Sequence, residues 1–269
     1  MKVACIQMNS QECVSDNLQA MHSWLEKVKD ADYVFFPETV DYCGKDPKNH
    51  AQTLPGEITE KFSQWAKDYH IYLYAGSIIE AQADRPKNTS LFYNPRGRLI
   101  GKYAKTHLFE LELENTSFME SQNMQSGDAY SVVYTKDASF GMSICYDVRF
   151  PKMYQKMTEA GAEILVVIAN FTKPTGKPHW QTLLQARAIE NACFVIAVDQ
   201  VGTKTELGFD AYGHTMVIDP WGRVLASREE DKEACLMVDL DLSLISKVRT
   251  QIPILKNERE ELEVHAFHE

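Results

Sequence analysis

Short runs of apolar, mostly β-branched residues alternate along the whole chain with segments whose apolar positions recur every three or four residues. The runs predict strands at Val3–Met8, Tyr33–Phe36, Ile71–Ile79, Ser90–Tyr93 and Leu99–Tyr103. A second series follows at Ser131–Tyr134, Phe140–Cys145, Ile164–Ala169, Phe194–Val198, Thr215–Ile218, Val224–Ser227 and Ala234–Val238. Asn94-Pro95-Arg96-Gly97 and Asp219-Pro220-Trp221-Gly222 supply turn chemistry between neighbouring strands, with Trp221 expected to pack on the sheet. Leu18, Met21, Leu25 and Val28 share one helical face, and Ile58, Phe62, Trp65, Ala66 and Tyr69 share another. Met153, Met157 and Ala160 mark a third helix, and Trp180, Leu183 and Leu184 a fourth. Helices interleaved with strands in this order predict a layered α/β fold. No Ser/Gly-rich linker or charge block divides the chain, so residues 1–269 read as one domain. Beyond Val248, Pro253 biases the backbone toward extended structure. Ile252, Ile254 and Leu255 make residues 249–269 an extended apolar tail, expected to dock on its own domain or on a neighbouring subunit.

Composition narrows the classes. Of the 269 residues, 44% are hydrophobic and 25% charged, which fits a globular protein with a sizeable core. The formal net charge of −10, with no dense Lys/Arg cluster, argues against nonspecific binding to nucleic acid or anionic lipid. No apolar run approaches the roughly 18–20 residues of a membrane span. The opening MKVACIQMNS lacks a signal-peptide core. A cytoplasmic location is therefore expected. The six cysteines are scattered without a C-x-x-C pair, and Cys5, Cys13, Cys43, Cys193 and Cys235 read as core or bystander thiols. His107, His179 and His214 have no zinc-type spacing, so neither metal nor cofactor is expected.

Three segments carry candidate chemistry. In Gly141-Met-Ser-Ile-Cys145, a buried-looking strand ends at a cysteine followed by a polar turn. A thiol held at such an exit faces a cleft, and the next amide, at Tyr146, can point at the oxygen of an attacked carbonyl. A lone strand cysteine is otherwise an ordinary core residue. In Phe35-Phe36-Pro37-Glu38, a carboxylate stands just beyond an apolar strand, where open sheets place their clefts and where a general base is useful. The bland alternative is a helix cap or solvated turn. Lys105, in Gly101-Lys-Tyr-Ala-Lys105-Thr-His-Leu-Phe109, leaves a strand for a loop. Held near a cysteine it would favour the thiolate and stabilise an oxyanion, whereas most lysines are surface charges.

Taken together, Phe-Pro-Glu, Tyr-x-Lys-x-His-Leu-Phe and Ile-Cys-Tyr-Asp-x-Arg-Phe-Pro, in that order, resemble the nitrilase superfamily of carbon–nitrogen hydrolases. The resemblance extends from Val3 to the Ile252-Pro253 tail. It takes in Gln185-Ala-Arg-Ala-Ile-Glu-Asn191 and Tyr212-Gly-His-Thr-Met-Val-Ile-Asp-Pro-Trp-Gly222. It implies a four-layer αββα sandwich, dimerised through a helical layer with exchanged C-terminal segments. It implies Cys145 as nucleophile, Glu38 as general base and acid, Lys105 with the Tyr146 amide as oxyanion stabiliser, and Glu120 orienting the lysine. Glu110, Glu112 and Glu114, nearer Lys105, alternate in a way that reads as a solvated loop.

Tyr146-Asp147-x-Arg149 after the cysteine is similar to the amidase branches, and Asn170-Phe-Thr-Lys-Pro-Thr-Gly176 to the one holding omega-amidase and deaminated-glutathione amidase. The implied substrate is the terminal amide of a small carboxylic acid, such as 2-oxoglutaramate or succinamate. Its anionic end needs a cationic partner. Arg149 and Thr172 are candidates for that contact, with Phe171 beside them and Tyr42 at the entrance. Rival readings are an N-carbamoyl-amine hydrolase with the same residues, and a silent relative that only binds a partner.

Overall fold

A parallel strand buried on both faces reads as an unbroken apolar run, and Ile-Leu-Val-Val-Ile-Ala at 164–169 is the clearest such run here. The computed structural model, which describes residues 1–113, 116–259, 263, 265 and 266, places it in the middle of a sheet. The first part of the chain forms β1 (Lys2–Gln7), α1 (Val14–Lys27), β2 (Tyr33–Phe35), α2 (Glu57–Asp68), β3 (Tyr72–Glu80), β4 (Lys87–Tyr93) and β5 (Leu99–Ala104). A hairpin of β6 (Glu110–Leu113) and β7 (Thr116–Met119) follows. The second part forms β8 (Ser131–Tyr134), β9 (Ser139–Ile144), α3 (Pro151–Glu159), β10 (Ile164–Ala169), α4 (Lys173–Asn191) and β11 (Phe194–Asp199). A second hairpin, β12 (Val201–Lys204) and β13 (Phe209–Tyr212), precedes β14 (Met216–Ile218), β15 (Val224–Ser227) and β16 (Ala234–Asp239). The chain closes with α5 (Ser243–Gln251) and α6 (Ile254–Asn257).

Two six-stranded sheets result, in the orders β16-β1-β2-β3-β4-β5 and β15-β14-β11-β10-β9-β8. Each has three parallel strands at its centre, β1-β2-β3 in one and β11-β10-β9 in the other, with antiparallel strands at its edges. Side chains alternate across each strand. In β1, Val3 and Cys5 face the other sheet, while Ala4 and Ile6 face α1 and α2. Leu18, Met21 and Leu25 of α1 and Ile58, Phe62 and Ala66 of α2 cover that outer face. Met153 and Met157 of α3 and Trp180, Leu184 and Ala188 of α4 cover the second sheet. Between the sheets, Phe140 of β9 packs its ring against Tyr33, Phe92 and Phe35 at centroid distances of 5.2, 5.3 and 6.2 Å. The architecture is the expected four-layer αββα sandwich.

Several local expectations are corrected. Strand β4 begins at Lys87 rather than Ser90, because Asn88, Thr89 and Ser90 are buried polar residues and their composition hides the strand. Glu110 and Glu112 belong to the first hairpin rather than to a solvated loop; Glu114 lies outside the described residues. Trp221 is 47% exposed instead of packing on the sheet. The tail is not extended at its start. Ile245 and Val248 form a buried face that carries α5 to Gln251, and Pro253 then opens the turn α6, as proline does at a helix start. All six cysteines are free; Cys5, Cys43, Cys145 and Cys193 are buried, while Cys13 is exposed and Cys235 lies between. No helix among the described residues is long and apolar enough to cross a membrane.

Phe140 is fully buried and joins the two sheets through three aromatic contacts. Phe140→Ala is expected to lower unfolding free energy by about 3–5 kcal/mol. Urea denaturation checks this. A loss near zero would mean that the sheets are held together elsewhere.

Candidate active site

Parallel strands carry their C-terminal ends to one side of a sheet, and clefts form there. Glu38 lies just beyond β2, Cys145 immediately beyond β9 and Asn170 immediately beyond β10, while Lys105 follows β5. At the β2 exit, Thr39 takes a positive φ of 55° and β3 bulges between Tyr74 and Ser77. Gly76 sits in that bulge at φ 75°, where a Cβ would lie 2.2 Å from the Pro37 carbonyl oxygen. Only glycine lets β3 pass so close behind Glu38. At the β9 exit, Cys145 has φ 50°, uncommon for any residue but glycine, and opens the 3₁₀ turn Cys145–Arg149. Tyr146 is second in that turn, where an amide has no partner within the helix. The turn is braced by the Ile144 N–H donating to Asp147 Oδ2 at 2.9 Å and by Arg187 Nε donating to the Val148 carbonyl at 2.9 Å.

The Lys105 side chain is 3% exposed, and its ammonium lies 3.0 Å from Glu38 Oε1 and 3.0 Å from Glu120 Oε2. Glu38 Oε1 also accepts from Asn88 Nδ2 at 2.7 Å, and Oε2 from the Asn170 N–H at 2.7 Å. Glu120 Oε2 accepts from the Phe109 N–H at 2.7 Å. These three residues and Cys145 line one cavity of about 210 Å³, with Thr39, Asn170 and Thr172 completing its polar wall. Phe109, together with Leu111 of the first hairpin and Leu207 and Phe209 of the second, gives it an apolar wall.

The charges are unevenly matched, with one ammonium between two carboxylates. Burial pulls the Lys105 pKa down, but Glu120 and Glu38 outweigh it and hold the lysine well above its ordinary value. Burial raises Cys145 well above an ordinary thiol; Glu38 adds to the rise, and Lys105 offsets only part of it. The expectation that Lys105 would favour a thiolate is thus half met: its influence has the expected sign, but burial and Glu38 overrule it. Glu120 is also raised, by burial first, with Lys105 opposing.

Arg149, Phe171 and Thr172 come together beside Cys145 and Tyr146 in a narrow adjoining cleft. The Arg149 guanidinium lies over the Phe171 and Tyr146 rings, 5.4 and 5.8 Å from their centroids, and Nη2 is 3.3 Å from His179 Nδ1. No acidic side chain pairs with it among the described residues. Tyr42 is not at the entrance. It is 4% exposed, packed with Ile79 and Met124, and its hydroxyl accepts the Asp46 N–H at 2.9 Å. Asn88 and Asn170, the amide partners of Glu38, carry no site expectation from the sequence. Asn88 hides in the polar start of β4, and Asn170 acts through its backbone, to which sequence is blind. The histidines do not converge. His107 joins Asp147, His179 meets Arg149, and His214 is held by the Tyr212 carbonyl. No group of three or more His, Cys, Asp or Glu side chains suited to a metal occurs among the described residues.

The carbon-nitrogen hydrolase family model matches residues 2–250. A deaminated glutathione amidase from Synechocystis sp. is 36% identical over 264 residues, covering 94% of this chain and 96% of that protein. An omega-amidase from Homo sapiens is 34% identical over 266 residues, covering 97% and 96%. Among solved structures, the Saccharomyces cerevisiae protein Nit3, a member of branch 10 of the nitrilase superfamily, superposes with a TM-score of 0.87 at 28% identity, covering 97% of each chain. The Caenorhabditis elegans NitFhit protein gives 0.87 at 33% identity, covering 96% of this chain and 65% of that one.

Because Glu38 raises the Cys145 thiol, Glu38→Gln is expected to lower its titration midpoint, and Lys105→Met to raise it further. Ultraviolet thiolate absorbance, taken as a difference against Cys145→Ala in each background, reads both shifts. A midpoint that does not fall in Glu38→Gln would mean that burial alone governs the thiol.

Proposed function

The chain belongs to the carbon–nitrogen hydrolase family of the nitrilase superfamily, and we propose that Cys145, Glu38, Lys105 and Glu120 are the groups with which it hydrolyses a linear amide. The observation that carries this reading is the buried Glu38–Lys105–Glu120 cluster sharing one cavity with a cysteine in strained backbone. In the first step the Cys145 proton passes to Glu38 as sulfur attacks the amide carbon. The oxyanion is held by the Lys105 ammonium and the Tyr146 amide. Glu38 then returns the proton to the departing nitrogen, the C–N bond breaks, and ammonia leaves a thioester behind. Water gives a proton to Glu38 while attacking that thioester. The proton goes back to sulfur as the acid is released. A thiol that stays protonated at rest requires this coupling of deprotonation to attack, with Glu38 as the acceptor. Glu120 keeps the Lys105 ammonium charged and in place. No step calls for a metal or cofactor.

The substrate we infer is a short carboxylic acid with a terminal amide, of the 2-oxoglutaramate or succinamate kind. The Arg149 guanidinium, stacked over the Phe171 and Tyr146 rings, can offer a carboxylate a two-pronged hydrogen bond from its N–H edge beside the nucleophile, with Thr172 and Phe171 flanking it. A cavity of about 210 Å³ lies below the roughly 300–1,000 Å³ of sites for drug-sized ligands, which favours these small acids over deaminated glutathione. The same reading includes a dimer. Ile189 on α4, Trp221 next to the Gly222 that packs on Ile189, and Ile252, which shares a cleft with Glu190, are 50%, 47% and 45% exposed, and a second copy of the helical layer would cover them. We place the protein in the cytoplasm on its free cysteines.

Ammonia release from succinamate, 2-oxoglutaramate, deaminated glutathione and N-carbamoyl-β-alanine tests the proposal. Turnover of the first two, abolished in Cys145→Ala, is the expected result. Arg149→Met should raise KM for them by about 10–100-fold with a smaller change in kcat, in line with about 1.5–3 kcal/mol for a charge-assisted hydrogen bond. Preference for deaminated glutathione or the carbamoyl compound would overturn the substrate, and inertness toward all four the hydrolytic reading of this pocket. Ile189→Glu should shift the sedimentation coefficient from dimer to monomer; a wild-type monomer would refute the assembly.

A further inference from the structure

Asp147 lies in the turn after Cys145, wholly buried, and its carboxyl group gathers contacts from two separate loops. Oδ2 accepts the Ile144 N–H at 2.9 Å and the Tyr103 hydroxyl at 2.7 Å. Oδ1 accepts the His107 N–H at 3.2 Å and lies 2.7 Å from His107 Nδ1. The Thr106 hydroxyl reaches Oδ1 at 3.4 Å and the Tyr103 hydroxyl at 2.9 Å. The contacts therefore come from the residue before Cys145, in one sheet, and from both flanks of Lys105, which follows the other sheet. His107 is fixed from the other side by stacking on Phe150, with ring centroids 3.7 Å apart and planes within 7°.

Neither segment is a strand or an α-helix. Cys145 is in left-handed backbone, and Lys105 is the first residue past β5. Their relative position governs whether the ammonium meets the oxyanion formed at sulfur. The Glu38 and Glu120 contacts fix the lysine's tip, but neither grips the cysteine turn.

We propose that Asp147 is a positioning residue that locks the Cys145 turn to the Lys105 loop and so sets the distance between nucleophile and oxyanion stabiliser. It touches no substrate and acts through both neighbours. The inference rests on the roles of Cys145 and Lys105 under the proposed function. Asparagine keeps the shape but has one acceptor oxygen where aspartate has two: turned toward His107 it gives up the Ile144 N–H, and turned toward Ile144 it keeps the Tyr103 hydroxyl but gives up the His107 N–H.

The test is Asp147→Asn assayed with succinamate, beside wild type and Cys145→Ala, with folding checked by thermal melting. A displacement near 1 Å costs on the order of 100-fold in rate, so kcat is expected to fall by about that factor while KM changes little. In Tyr103→Phe, which leaves the carboxylate's charge in place, the Cys145 titration midpoint should rise, because Lys105 is no longer held where it stabilises the thiolate; a merely structural role would leave it where it is. If Asp147→Asn does not fold, Tyr103→Phe, which loses a single hydroxyl from the same carboxylate, should lower kcat about tenfold. A folded variant with wild-type kcat and titration midpoint, while Cys145→Ala is inert, would overturn the positioning role alone. Activity surviving in Cys145→Ala would overturn the nucleophile assignment and this inference with it.

Discussion

One buried ammonium between two carboxylates organises this molecule. The Lys105 side chain is 3% exposed, Glu38 5% and Glu120 11%. Charges taken so far from water are tolerated only when paired and hydrogen-bonded, and removing one partner from such a set commonly costs about 3–5 kcal/mol. The fold meets that demand from several directions. Asn88 on β4 and the Asn170 amide beyond β10 supply the remaining bonds of Glu38, and the Phe109 amide supplies one for Glu120. Since β4 and β10 belong to different sheets, satisfying Glu38 also ties the sheets together at the cavity. The ion cluster is at once the costliest feature of the interior and the reason the cleft has a fixed shape.

The same cluster determines how the thiol can react. One ammonium faces two carboxylates beside Cys145, and burial disfavours a further anion there. Proximity to a lysine often means a depressed thiol pKa; here the direction is reversed, because burial first, and Glu38 after it, outweigh Lys105. A resting thiol is a weak nucleophile until a base takes its proton. On the proposed mechanism, reactivity is coupled to a carbonyl that can accept the sulfur and an oxyanion that Lys105 can hold. That arrangement places selectivity in the transition state rather than in the resting enzyme.

Much of the layered fold is legible in the sequence because burial imposes periodicity. The unbroken apolar run at 164–169 and the helical faces of Leu18, Met21 and Leu25 and of Ile58, Phe62 and Ala66 point to the elements that form. Glu38, Lys105 and Cys145 are legible for a related reason: each follows the end of a strand. What stays hidden lacks both signals. Asn88 sits in a polar strand start, buried because its amide serves Glu38. Asn170 contributes a main-chain N–H. Tyr42 looks like an entrance residue by proximity to Glu38, yet its ring stacks on His50 at 3.8 Å and turns away from the cavity. The tail looks extended because proline breaks the helix, although a proline can equally begin one.

The two hairpins explain why the family is easier to read than the substrate. Leu111 and Phe209 come from β6 and β13, and Leu207 from the turn before β13. These short strands lie outside both large sheets, so no core periodicity constrains their residues and no motif announces them. Glu38, Lys105 and Cys145 stand at the sheet exits, next to strands that the hydrophobic core holds in place. On the proposed reading, discrimination between acyl groups falls to Arg149 and to those hairpin walls rather than to the charge cluster. A chain built this way can keep one hydrolytic chemistry while its substrate drifts. The identity of the acid must then be sought in the charge and volume of the cavity rather than in the residues around sulfur.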